Sequence, residues 1–130
     1  MKKAVKNFYD LKVWKDAHAV VLEVYDLTGR FPKEELFGLV SQMRRAASSV
    51  AANIAEGFGR YHFKDKIRFY QQARGSAVEM QNHVFLAQDL NYLPKTEARN
   101  LFIKLDEVLR ELNGLINAAN ERSLSLVTSS

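Results

Sequence analysis

Apolar residues recur every three or four positions along most of the chain, and this spacing predicts four helices. The predicted helices span about residues 10–28, 33–58, 64–90 and 94–122. Asp10 is placed to cap the start of the first helix, and Gly29 to end it. Pro94 suits the first turn of the fourth. Because no segment alternates with period two over the length of a strand, the chain is predicted to be all-α.

The second and fourth helices carry seams that step alternately by three and four residues. The seam residues are Leu36, Val40, Met43, Ala47, Val50 and Ile54 in the second helix and Ala98, Leu101, Leu105, Val108, Leu112, Leu115 and Ala119 in the fourth. Four helices of similar length joined by short connections predict an antiparallel up-down-up-down bundle. We expect one domain over residues 1–122, followed by a frayed C-terminal tail over 123–130.

Composition narrows the possible functions. The 130 residues include no Cys, which excludes disulfides, thiolate zinc sites and a cysteine nucleophile. No apolar run is long enough to span a membrane, and the start of the chain lacks the apolar run of a signal peptide. We therefore expect a cytoplasmic protein without a membrane partner.

The formal net charge of +4 is concentrated in one segment. Residues 1–59 carry a net +2, residues 60–74 a net +4 and residues 75–130 a net −2. The cations of the middle segment are Arg60, Lys64, Lys66, Arg68 and Arg74, and they are interleaved with Tyr61, His62 and Phe63. Cations that neutralise phosphates, beside aromatic rings that stack on unpaired bases, predict a nucleic-acid interface. The alternative is a solvated helix end, with Tyr70 and either Phe63 or Phe69 in the core.

Catalytic patterns are weak in this sequence. A dimetal carboxylate bundle needs two Glu-x-x-His motifs, whereas Glu79 and His83 stand four residues apart and have no second copy. Phosphate-binding loops and nucleophile elbows are absent. We predict no enzymatic activity, no cofactor and no metal. A metal-dependent enzyme that uses Glu56, Glu79 and His83 is a distant third hypothesis.

The second half of helix 2 is unusually small and uncharged between Arg45 and Asn53. Gly75 interrupts helix 3, where glycine costs about 1 kcal/mol relative to alanine, and residues 47–51 are its expected close-packing partner. Two interpretations remain open. Either helices 2 and 3 pack tightly within one chain, or the small face is also a subunit interface.

A polar stripe follows the same helix at steps of three and four residues. Its members are Gln42, Arg45, Ser49, Asn53, Glu56 and Arg60. An unpaired charge at a close helix contact would be costly, so Arg44 or Arg45 is expected to pair with Glu79. The stripe is either a structural feature or a partner-binding surface.

The run from Gln42 to Gly57 resembles the signature of four-helix bundle proteins encoded in intervening sequences of 23S ribosomal RNA genes, also labelled S23 ribosomal proteins. Further matches are Leu11 to Trp14, Phe31-Pro32, and Ala73 to Ser76 with Glu79. The family pattern falls on Arg44, Arg45, Ser49, Asn53, Glu56, Gly57, Gly75, Ser76 and Glu79.

The resemblance implies a left-handed antiparallel four-helix bundle that assembles as a homopentamer. It also implies similarity to accessory proteins of diversity-generating retroelements, which associate with a reverse transcriptase and nucleic acid. No enzymatic activity and no established cellular role come with the family. The leading hypothesis is therefore an oligomeric bundle that binds RNA or DNA. Five copies would carry a net charge of +20, so the cationic segment 60–74 of each copy would become part of a multivalent surface. The alternative is a scaffold that docks a protein partner such as a reverse transcriptase.

Overall fold

The structure is a computed structural model that describes residues 4–128. Within this range the chain forms four α-helices and no strand, which confirms the all-α prediction. The helices are α1 (Lys12–Thr28), α2 (Ser41–Gly59), α3 (Phe63–Asp89) and α4 (Lys95–Thr128). Met1 to Lys3 of the predicted domain and the last two residues of the predicted tail lie outside the described residues.

The entry to α1 differs from the prediction. Asp10 does not cap α1 but ends a short 3₁₀ helix, Phe8–Asp10, and Leu11 is the residue before α1. The Asp10 carboxylate accepts hydrogen bonds from the backbone N–H groups of Lys6 and Asn7, at 3.2 and 3.0 Å. It therefore closes the preceding turn instead. Gly29 ends α1 as predicted.

The segment before α2 is not the continuous helix that its spacing predicts. It consists of a 3₁₀ turn, Lys33–Glu35, and a wide π-helical turn, Leu36–Val40. Gly38 breaks the helix there with φ −110° and ψ −112°. The Glu35 carboxylate accepts a hydrogen bond from the backbone N–H of Leu39 at 3.3 Å, which satisfies one amide at the break. The break turns Phe37 outward, where its side chain is 94% exposed.

Helix α4 is longer than predicted. It continues to Thr128, so the expected helix end near Arg122 was wrong. Adding a residue to an existing helix costs little free energy, and serine is only modestly unfavourable within a helix. The serines after Arg122 are therefore not enough to end α4. The extra turns carry Ser123 and Leu126 to the start of α3.

The predicted seams form the core. All the seam residues are buried except Leu36, which lies in the wide turn, and Leu115, which is half-buried. Partners along neighbouring helices run in opposite order: on α2 and α3, Arg45 contacts Glu79 and Ser49 contacts Ser76. One recess is lined by Val5, Leu11, Phe58, Phe63, Leu115 and Arg122, so the chain start, the end of α2, the start of α3 and α4 meet there.

Candidate nucleic-acid interface and polar seam

The polar stripe of α2 lies along the contact between α2 and α3. We use the term polar seam for the polar side chains of both helices at this contact, which are Gln42, Arg45, Ser49, Asn53, Ser76 and Glu79. The Arg45 guanidinium donates from Nη2 to both Glu79 carboxylate oxygens, at 3.3 and 3.2 Å. It also donates to Gln42 Oε1 at 2.9 Å. This confirms that one of the two arginines pairs with Glu79. Both side chains keep substantial exposure, so the pair contributes little to stability.

The centre of the polar seam is a chain of short side chains. Ser76 Oγ donates to Ser49 Oγ at 3.0 Å, and Asn53 Nδ2 donates to Ser49 O and Oγ at 2.9 and 3.0 Å. Buried Ala47, Ala73 and Ala77 lie beside this chain. These contacts support tight packing of α2 and α3 within one chain.

Gly75 does not take part in that packing, contrary to prediction. It is exposed, and a Cβ atom added to it would meet nothing within 4 Å among the described residues. The close approach is made instead by Gly57. A Cβ atom there would lie 2.7 Å from Cε1 of Tyr70 and 3.1 Å from Cβ of Phe69.

Arg44 points to a different neighbour from Arg45. Its Nε donates to Thr28 Oγ1 at 3.0 Å, its Nη2 donates to the Tyr25 carbonyl at 3.4 Å, and its guanidinium lies 4.6 Å from the centre of the Tyr25 ring. A cation near a helix C-terminus interacts favourably with the carbonyl oxygens of the last turn. Arg44 therefore caps α1.

The three residues of the metal hypothesis are not brought together. Glu56 Oε1 pairs with Arg60 Nη2 at 2.7 Å, whereas Glu79 pairs with Arg45. His83 Nε2 lies 3.8 Å from Glu79 Oε2, and neither of its buried ring nitrogens has a hydrogen-bond partner among the described residues. No group of three or more potential metal ligands occurs within residues 4–128.

The cluster of cations at residues 60–74, which we call the basic corner, is partly neutralised by its own fold. Arg60 and Arg68 lie over the Phe69 ring at 4.6 and 4.7 Å, and each also pairs with a carboxylate, Glu56 and Asp65 respectively. These contacts occupy two of the five cations.

Lys66 is engaged in a third way. Its Nζ donates to the carbonyl oxygens of Phe58 and Gly57, at 2.7 and 3.4 Å, and so caps the end of α2. Burial, with a further contribution from nearby Arg122, lowers the pKa of Lys66. The sequence pattern did not predict this structural role, because the carbonyls belong to a different helix.

Lys64 and Arg74 are the cations of the basic corner that stay exposed and have no ion-pair partner within the described part of the chain. Tyr61 is 89% exposed and meets the His62 ring edge-to-face at 5.1 Å. Tyr70 is buried, as expected, and its burial raises the pKa of its phenol. Phe63 and Phe69 are both half-buried.

An open groove of about 650 Å³ lies beside Tyr61 and Lys64. Its lining residues are Tyr61, His62, Phe63, Lys64, Asp65, Ser123 and Leu126. The wall from α4 could not be predicted, because the helix was expected to end before Ser123. On another side of Phe63, the recess that contains Lys66 and Arg122 measures about 360 Å³.

Two exposed apolar surfaces were not predicted from the sequence. One is Phe37 with half-exposed Leu36 in the wide turn. The other is a groove of about 360 Å³ between α3 and α4, lined by Phe85, Phe102 and Ile103 with Lys95 and Arg99, in which the two phenylalanine rings lie 5.1 Å apart. Apolar residues outside the predicted seams, such as Phe37, Phe102 and Ile103, were the available signal, whereas Leu36 had been assigned to a seam.

A partly buried acidic pair, Asp16 and Glu111, joins α1 to α4. The Glu111 carboxyl lies against Asp16 and 3.4 Å from Lys12 Nζ, and burial followed by the contact with Asp16 raises the pKa of Glu111 to about 7. Burial acts in the same direction on Asp16, but hydrogen bonds from Glu111 and Lys12 outweigh it and lower the pKa of Asp16. The pair therefore holds a proton near neutral pH.

Replacing Glu111 with glutamine tests this proton. The pKa of Glu111 is about 7 in the folded protein and 4.5 ordinarily, so its protonated carboxyl makes its full contribution to the free energy of unfolding below pH 4.5. That contribution is lost as pH rises through 7. Urea unfolding should show Glu111→Gln more stable than the parent by about 1–2 kcal/mol at pH 8, with the difference shrinking towards pH 5. Glu107→Gln is the control, since Glu107 is 3.9 Å from the same ammonium but half exposed. Parallel stability curves for Glu111→Gln and the parent would contradict the assignment.

Within residues 4–128, none of the helices combines the length and apolarity that crossing a membrane requires.

Comparison with a solved structure supports the all-helical fold. A crystal structure of a protein of unknown function from the S23 ribosomal protein family of Bacteroides thetaiotaomicron VPI-5482 superposes with a TM-score of 0.75. The two share 20% identity, over 81% of this chain and 95% of that chain, so the likeness is one of fold.

A search of functionally curated proteins finds no significant match. The sequence profile of the 23S rRNA-intervening sequence proteins, by contrast, matches residues 9–114, which includes the whole polar seam and the basic corner. The chain is therefore a member of the 23S rRNA-intervening sequence protein family.

Proposed function

We propose that this protein is a non-enzymatic, homo-oligomeric bundle of the cytoplasm that binds RNA or DNA through the basic corner. The observation that carries the proposal is the pair of uncompensated cations, Lys64 and Arg74, in the same segment as the exposed ring of Tyr61. Cations of this kind neutralise phosphates without reading sequence, so binding is expected to be largely non-specific.

The proposed architecture is an antiparallel up-down-up-down, left-handed bundle. The reversed order of partners supports the antiparallel part: Phe85 meets Phe102 while Gln81 bonds Asp106 on α3 and α4. On α1 and α4, Lys12 pairs with Glu111 while Glu23 pairs with Lys104.

Fluorescence anisotropy with short labelled RNA and DNA tests the binding. We expect measurable affinity at about 50 mM salt that falls steeply by about 200 mM, because each neutralised phosphate releases counterions. No retention of either nucleic acid at low salt would overturn the proposal.

The proposed assembly is a ring of copies, with five as the number implied by the family resemblance. Phe37, which follows Glu34 and Glu35, is an apolar knob with an acidic flank, and the α3–α4 groove is apolar with Lys95 and Arg99 at its rim. Complementary surfaces at two different places on one chain make a head-to-tail contact, which closes into a ring when the rotation permits. This complementarity supports assembly through the knob and the groove.

Phe37→Ser should shift the protein to monomers in sedimentation velocity, because an exposed aromatic anchor at an interface commonly contributes about 2 kcal/mol or more. Tyr9→Ser is the matched control, since Tyr9 is also an exposed aromatic residue but lines neither the surface around Phe37 nor the α3–α4 groove. A parent chain that sediments as a monomer at about 100 μM would contradict the assembly, which at that concentration requires an association free energy of only about 5 kcal/mol.

A second candidate function is a scaffold that docks a protein partner such as a polymerase. The α3–α4 groove favours it if the purified chain is a monomer, because the groove is then open to another protein. Replacing the cations of the basic corner should leave this function intact and abolish the first.

A further inference from the structure

Tyr61 is the most exposed aromatic residue in the connection between α2 and α3, at 89%. Its ring contact within the described residues is the edge-to-face contact with His62. Phe63, by contrast, is half-buried and lines both the groove and the recess beside it. Tyr61 therefore contributes little to the core and offers most of its ring to a ligand.

The groove beside Tyr61 has the dimensions and polarity of a ligand site. Its volume of about 650 Å³ falls in the range of clefts that hold small organic groups. Leu126 adds an apolar wall and Ser123 a hydroxyl from α4, while Lys64 stands at the rim. The one carboxylate in the lining, Asp65, is 3.8 Å from Arg68 Nη2, which offsets its charge.

We infer that the groove binds an unpaired nucleobase, stacked on Tyr61, with the adjoining phosphate on Lys64. The inference rests on the proposed function and goes beyond it, because it assigns single-stranded over duplex nucleic acid. Bases inside a duplex are already stacked on both faces and cannot reach a protein ring, whereas unpaired bases can. Phosphate contacts alone would not distinguish the two forms in this way.

The test compares an unstructured RNA of about ten nucleotides, its duplex, and the DNA versions of both, by anisotropy at low salt. A 2-aminopurine in the single strand reports stacking directly through quenching of its fluorescence. We expect the parent to prefer the single strands. Tyr61→Ala should weaken single-strand binding by about tenfold or more and remove the quenching, while Tyr61→Phe keeps both. Tyr9→Ala is the control, since Tyr9 is exposed but does not line the groove.

Each outcome decides between the proposals. Equal binding of single strand and duplex, unaffected by Tyr61→Ala, would overturn the stacking site and leave the phosphate-binding function standing. No binding of any probe would overturn both. A preference of the parent for RNA or for DNA single strands would identify the source of the base. Because Tyr61 is almost fully exposed, its variants should unfold at the parent temperature, and circular dichroism checks this.

Discussion

Replacing Gly57 with alanine is expected to destabilise the protein by about 2 kcal/mol, in the range found for overpacked cores. The new Cβ atom would lie 2.7 and 2.9 Å from two carbons of the Tyr70 ring and 3.1 Å from the Phe69 Cβ. Tyr70 is buried in the core, so its ring can move aside only by giving up core contacts, and the Phe69 Cβ is fixed to the α3 backbone. The helices would have to separate where α2 ends, which is also where Lys66 caps α2.

Gly59→Ala is the matched control for this prediction. Gly59 ends the same helix, but a Cβ atom there would meet nothing within 4 Å among the described residues. Both substitutions gain the helix propensity of alanine, up to about 1 kcal/mol, so the difference between them isolates the clash. Chemical denaturation of both variants measures that difference. Equal stability would show that α2 and α3 do not approach as closely as described.

The second large effect is expected for nucleic-acid binding. Replacing Lys64 and Arg74 together with glutamine should lower single-strand affinity by about tenfold or more at low salt, because each free cation neutralises one phosphate. The dependence of log affinity on log salt should become shallower by about 1.4, which corresponds to two lost contacts on a single strand. Lys66 is left unchanged in this variant, because its loss would free the carbonyls at the end of α2.

The control removes the same net charge elsewhere. Lys15 and Lys33 are exposed and have no ion-pair partner among the described residues, so Lys15→Gln with Lys33→Gln matches the double variant in charge and number. The control should keep at least most of the affinity and the original salt dependence. If the two double variants lose affinity equally, binding follows the overall charge of the molecule and the basic corner is not the interface.

Two contacts between α2 and α3 agree with what the sequence predicted. The small residues of α2 do pack against α3, and Arg45 does pair with Glu79, and both contacts were predicted from the spacing along the two helices. The cost of a buried unpaired charge is not the reason for the pair, because both side chains keep substantial exposure. The same reasoning led to a wrong prediction for Gly75, which was expected to pack closely against α2. A glycine inside a helix predicts a close neighbour only if it faces one, and a mid-helix glycine does not reveal its own direction.

The sequence by itself determined the four helices and their buried seams. Both are local consequences of a repeat of 3.6 residues, which places every third or fourth side chain on one face. The pairing of Arg60 with Glu56 and of Arg68 with Asp65 also follows from a local spacing of four and three residues. Only the tertiary structure decided the contacts that join one helix to another. Lys66 binds carbonyls of α2, Arg44 binds Thr28 at the end of α1, and the groove beside Tyr61 needs Ser123 of α4. Each of these partners lies on another helix, and the spacing along one helix carries no information about its neighbour. The net charge of +4 and the two local ion pairs were therefore readable from the sequence, but the engagement of Lys66 with the end of α2 was not.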